Sequence, residues 1–118
     1  MSSSEPSVFS KIIARAIPAT IVAEDDRVIA IEDIAPKAPV HVLVIPKTEQ
    51  YRDVTELAAG DPDLLAHVVA TARRIADERA DGQFRLVFNT GEAAGQTVFH
   101  VHAHVLAGDL HEGNLLAG

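Results

Sequence analysis

The sequence predicts an α+β domain, a largely antiparallel sheet of about five strands carrying a short N-terminal helix and one long helix. Three observations lead there. Two segments space their apolar residues at helical intervals, about five short runs have strand character, and the connections are of hairpin length rather than the longer crossovers of alternating βαβ units. At 118 residues the chain is long enough for one core and too short for two ordinary domains. Residues 1–118 are therefore read as a single domain with a flexible leader over 1–6 and a C-terminal tail over 109–118.

Taken in order, Ser7 is placed to cap a helix whose apolar residues Val8, Phe9, Ile12, Ile13 and Ala16 recur at helical spacing, and Pro18 stops it. Residues 20–23 and 27–32 have strand character, and Asp25 and Asp26 between them favour a tight reversal, which makes a hairpin. DIAPKAP cannot be a regular element, because Pro36 and Pro39 fix the backbone and remove donors. It is a loop leading into the strand VHVLVIP, which Pro46 ends. Asp53 with Glu56 suggests a capped turn of helix. Asp61, Pro62 and Asp63 supply a cap, a proline at the first helical position and an acid in the first turn, and so start the long helix. Its stripe is Leu64, Leu65, Val68, Val69, Ala72, Ile75 and Ala76, and Gly82 terminates it. The strand FRLVFN and the small-residue loop NTGEAAGQT then deliver the chain to FHVHAHVL, after which DLHEGNLLAG is a short tail whose adjacent pair Leu115 and Leu116 is expected to be buried.

Composition removes several function classes. Without cysteine there are no disulfides, thiolate metal sites or cysteine nucleophiles, so a metal would need histidine and carboxylate ligands. A formal charge of −7 argues against a broad surface for nucleic acid. The apolar runs stop well short of a bilayer span, and MSSSEPS has neither the basic nor the apolar part of a secretion signal. A cytoplasmic protein with no membrane or nucleic-acid partner is expected.

The informative stretch is FHVHAHVL, in which three of the six histidines, His100, His102 and His104, occupy alternate positions. In an extended strand they share one face with Val98 and Leu106, while Phe99, Val101, Ala103 and Val105 share the other. Neighbouring members of the trio are roughly 6.5–7 Å apart at the backbone, close enough for their rings to share a ligand. Mutual repulsion keeps all three from being protonated together near neutrality, so a neutral base or nucleophile can sit beside a charged anion binder. The same spacing can direct two ring nitrogens at one zinc ion. From the trio alone, both readings stand.

GQTVFHVHAHVLAG closely resembles the histidine-triad motif, in which three histidines alternate with apolar residues and two further apolar residues follow. FSKIIARAIPATIVAEDDRVIAIEDIAPKAPVHVLVIPK resembles the amino-terminal half of the Hint branch of that family, and the likeness covers roughly residues 8–108. The resemblance implies a HIT-like fold whose sheet continues across a homodimer. It also implies hydrolysis of purine nucleoside phosphoramidates, such as adenosine 5′-monophosphoramidate, through a nucleotidyl-histidine, with no metal or cofactor. Branches acting on dinucleoside polyphosphates or transferring nucleotidyl groups commonly follow the triad with a proline and a basic residue, where this chain has Ala107, Gly108 and Asp109. A nucleotide-binding adaptor is the non-enzymatic alternative.

Carried over by position, His102 is the nucleophile. His100 supplies a main-chain acceptor that orients it, His41 supports it by hydrogen bonding, and His104 contacts the phosphate or leaving group. Thr97, where serine is usual, brings a hydroxyl to the phosphate and leaving group; Gly95 allows close backbone approach, and Asn89 binds near the phosphate ester. Asp33 accepts from the ribose hydroxyls, and Val8, Phe9, Ile12, Ile31 and Ile34 wall the base. Ile31 replaces an aromatic ring of the better-known eukaryotic relatives, which implies looser purine selectivity. His67, off the stripe of the long helix, is expected in solvent, and His111 sits in the tail.

Overall fold

In the computed structural model, which describes residues 6–112, the chain runs α1 (Val8–Ile13), β1 (Ile21–Glu24), β2 (Val28–Glu32), β3 (Val40–Pro46), α2 (Val54–Gly60), α3 (Pro62–Arg79), β4 (Arg85–Val87) and β5 (Ala103–Ala107), with a 3₁₀ turn at Glu92–Ala94. The five strands form one sheet in the order β1-β2-β3-β5-β4, and every neighbouring pair is antiparallel. The predicted class and sheet are therefore present. Residues 1–5 and the paired leucines of the tail, Leu115 and Leu116, lie outside the described residues.

Local signals set the helix ends. Ser7 accepts from the Ser10 amide at 3.0 Å and starts α1. Asp53 accepts from the Glu56 amide at 3.0 Å, and this cap opens a full helix of seven residues where the sequence indicated a single turn. Asp61 closes α2 and accepts from the Leu64 amide at 3.1 Å to open α3. Gly82, at φ +75°, donates its amide to the Ala76 carbonyl at 2.9 Å and ends α3, a backbone conformation that favours glycine.

Two strands are shorter than predicted. FRLVFN pairs only over Arg85–Val87. The histidine strand joins the ladder only at Ala103, because Pro46 has no amide to donate, its carbonyl is taken by the His100 ring, and the Val101 amide goes to the Tyr51 carbonyl. Phe99 leaves the expected core face and is 48% exposed, while Val101, Ala103 and Val105 stay buried.

Strand alternation divides the core in two. Val28, Ala30, Val42, Val44, Ala103 and Val105 pack against Leu57 of α2 and Leu64, Val68, Ala72 and Ile75 of α3. Ile29, Ile31, Leu43 and Ile45, on the opposite face, pack against Phe9 and Ile12 of α1. Each fully buried Leu or Ile contributes about 1.5–3 kcal/mol, and these two layers hold β3 and β5 side by side. His67, expected in solvent, instead reaches Asp25 in the β1–β2 turn at 2.7 Å. Among the described residues, no helix is long and apolar enough to cross a membrane.

Candidate active site

The site begins with the register between β3 and β5. His41 stands opposite Leu106, and Leu43 stands opposite His104, so His41 and His104 are diagonal neighbours on the face that α1 partly covers. His100 and His102 precede β5 on the same side, and all four rings are buried, with His102 retaining the largest exposure at 9%.

Backbone groups assign the tautomers. The Lys37 amide donates to His41 Nδ1 at 3.0 Å, so the neutral ring carries its proton on Nε2. That proton is directed at His104 Nδ1, 2.9 Å away, which leaves neutral His104 with its own proton on Nε2. His102 Nδ1 faces the His100 carbonyl at 2.9 Å; a carbonyl only accepts, so the proton is on Nδ1 and the lone pair on Nε2. His100 Nε2 likewise donates to the Pro46 carbonyl at 2.7 Å, and its Nδ1 faces Ser7 Oγ at 3.0 Å and Ser10 Oγ at 3.4 Å. Phe9 meets the His102 ring edge-on, with centroids 4.8 Å apart.

These contacts refine the expected roles. The His100 carbonyl does orient His102. His41 bonds to His104 rather than to His102, and so acts one ring further along. Asp33 lies beside the same pair, with Oδ2 3.4 Å from His41 Nε2 and Oδ1 accepting from the Ala35 amide at 2.8 Å. Phe9, Ile12 and Ile31 are buried together, while Val8 is 42% exposed and Ile34, at 98% exposed, does not join this apolar group. Asn89 lies two residues beyond Val87, the last residue of β4 that pairs with β5.

Gly95 and Thr97 lie on an exposed loop shaped by Gln96, whose side chain is 2% exposed. Gln96 Oε1 accepts from the Gly91 amide at 2.9 Å, and its Nε2 donates to the Arg52 carbonyl at 2.7 Å and the Val98 carbonyl at 3.0 Å. Gly95 sits at φ +97° with no atom within 4 Å of where a Cβ would be, so its backbone conformation selects glycine while the space beside it stays open. Gln96 and the two serines on His100 were not recognised from sequence. Ser7 was legible only as a cap, whereas a glutamine inside a glycine-flanked loop was the available signal for Gln96.

Burial pushes His41, His100 and His102 below the ordinary imidazole value of 6.5; the Pro46 carbonyl pulls His100 back up, and the His100 carbonyl does the same for His102. A buried neutral histidine gains less from protonation than its unfolded counterpart, so just under pH 6.5 the unfolded chain binds more protons. Stability is therefore complete above 6.5 and falls as pH drops through 6.5 toward the lower native values. Urea midpoints at pH 7.5, 6 and 5 should decline in that order; a flat profile would mean that the rings are solvated. The Asp25 carboxyl, held near 2 by the Arg27 and Val28 amides and His67 against the opposing effect of burial, titrates below this window.

Among the described residues the trio does not gather three ligand atoms at one point, and His100 Nε2 and His102 Nδ1 are engaged by carbonyls. Asp33, His41 and His104 each offer one ligand atom, all within 4.8 Å of one another. There the two imidazoles already share a proton at 2.9 Å, which a cation would have to displace.

A family model described as HIT domain matches residues 14–111. A HIT-like protein of Synechocystis is 49% identical over 108 residues, covering 88% of this chain and 91% of that protein. The purine nucleoside phosphoramidase of Escherichia coli K12 is 41% identical over 106 residues, covering 88% of each. Among solved structures, a HIT family hydrolase from Clostridium thermocellum superposes with a TM-score of 0.87 at 45% identity, covering 97% of this chain and all of that one.

Proposed function

The chain belongs to the HIT domain family, and from that premise we propose that it hydrolyses purine nucleoside 5′-phosphoramidates to a nucleoside monophosphate and an amine. One observation carries the reading. His102 is held by the His100 carbonyl with Nδ1 protonated, so Nε2 keeps the lone pair that a nucleophile needs. The similarity to the E. coli phosphoramidase supports the choice of substrate.

In the proposed first step, His102 Nε2 attacks the α-phosphorus in line, the P–N bond of the substrate breaks, and the amine leaves as it takes up a proton. Neutral His104, its tautomer set through His41, offers Nε2–H to the phosphoryl oxygens, where negative charge accumulates. Thr97, Gly95 and Asn89 are assigned to the phosphate and leaving group, Asp33 to the ribose, and Phe9, Ile12, Ile31 and Val8 to the base. In the second step, water cleaves the His102–phosphorus bond and releases the monophosphate. The functional unit in this reading is a homodimer joined along β4, the outermost strand at one end of the sheet.

Rapid quenching of the protein with adenosine 5′-monophosphoramidate, followed by denaturing mass analysis, should find one nucleotidyl group on His102. A chelator should not change its yield, and native spectra of the same sample should show two chains. An adduct on another residue, or turnover without an adduct, would refute this mechanism; loss of the adduct with a chelated metal would favour the zinc reading.

A further inference from the structure

A cleft of about 490 Å³ lies between the start of α1 and the loop ahead of β5, lined among others by Ser7, Val8, Glu49, Arg52, Thr97 and Phe99. It adjoins His100, which precedes the proposed nucleophile by two residues and orients it. Thr97, assigned above to the leaving group, is one of its lining residues, which places the cleft on the leaving-group side of that assignment.

The cleft's two charged side chains are not equivalent. The Arg52 guanidinium is committed to Glu56, donating to Oε2 from Nε at 3.0 Å and from Nη2 at 2.7 Å. Glu49 forms no ion pair with any described residue. Its charge reaches His100, whose proton affinity it raises against the larger effect of burial. Around it, the serine and threonine hydroxyls supply polar groups, and Val8 and the half-exposed Phe99 supply apolar wall. A cleft with an apolar wall and one uncommitted carboxylate suits an aliphatic chain that ends in a cation.

We propose that Glu49 is a specificity determinant that favours phosphoramidates whose leaving amine carries a second, positively charged group. The inference rests on the hydrolase reading above and adds the class of leaving group. Because Glu49 is exposed, its selectivity is moderate and screened by salt.

The test compares two adenosine phosphoramidates of matched length, one made from a diaminoalkane and one from the corresponding monoaminoalkane. The kcat/KM ratio of cationic to neutral substrate should be about fivefold at low salt. It should shrink with added salt, fall to near one in Glu49→Gln and drop below one in Glu49→Lys. Turnover of the neutral substrate should stay within about twofold in Glu49→Gln, which separates charge recognition from damage to the fold. Turnover of both substrates at a ratio that Glu49→Gln leaves unchanged would overturn this inference alone. No turnover of either by the parent protein would sink the hydrolase reading and this inference with it.

Discussion

Replacing His102 with alanine should lower turnover of adenosine 5′-monophosphoramidate by about four orders of magnitude or more, the scale seen when a covalent nucleophile is removed. The reason is local. Among the four buried imidazoles, His102 combines a backbone-fixed lone pair with the largest remaining access to solvent. His100 has both nitrogens engaged, by Pro46 on one side and the serines on the other, and His41 is enclosed between the Lys37 amide and His104. Nucleotide affinity should change by less than about tenfold, or 1.4 kcal/mol, since the substitution leaves the residues proposed for the ribose and base in place. Affinity measured by titration calorimetry and single-turnover kinetics together decide the matter. Retained turnover in a folded His102→Ala protein would remove the nucleophile from the mechanism.

The sequence disclosed some of this because the relevant physics is periodic. Alternation places every second residue on one face, so FHVHAHVL announced a shared histidine face before any partner was known, and the buried rings of His100, His102 and His104 agree with it. Helix starts were equally legible, since a cap such as Ser7 or Asp61 bonds only a few residues away. What escaped depends on residues far apart in the chain. His41 lies 63 positions from its partner His104, and only the β3–β5 register selects that ring over His102. The register was not deducible from either strand alone. Phe99 left the core face for a related reason: the ladder stops at Ala103, and the preceding backbone finds Tyr51 instead of β3. Ile34, assigned to the base wall by the resemblance, sits in the loop between β2 and β3 and is 98% exposed.

Gln96 shows how far such a long-range contact can matter. One amide side chain joins three separate stretches: Gly91 before the 3₁₀ turn, Arg52 ahead of α2 and Val98 before the histidines. Gln96→Ala would leave the Gly91 amide and two carbonyls to find new partners, at a cost of about 1–2 kcal/mol for these part-buried groups. The loop that presents Gly95 and Thr97 would relax, and a displacement of about 1 Å there is enough to reduce kcat roughly 100-fold. Gln96→Glu distinguishes the two halves of the side chain. It keeps an oxygen for Gly91 but sets a second oxygen against the Arg52 and Val98 carbonyls, so it should be no better than alanine in thermal midpoint or in kcat. If either variant kept kcat within threefold while losing stability, Gln96 would be a structural tie alone, and the placement of Thr97 would have to come from the α1 side of the cleft.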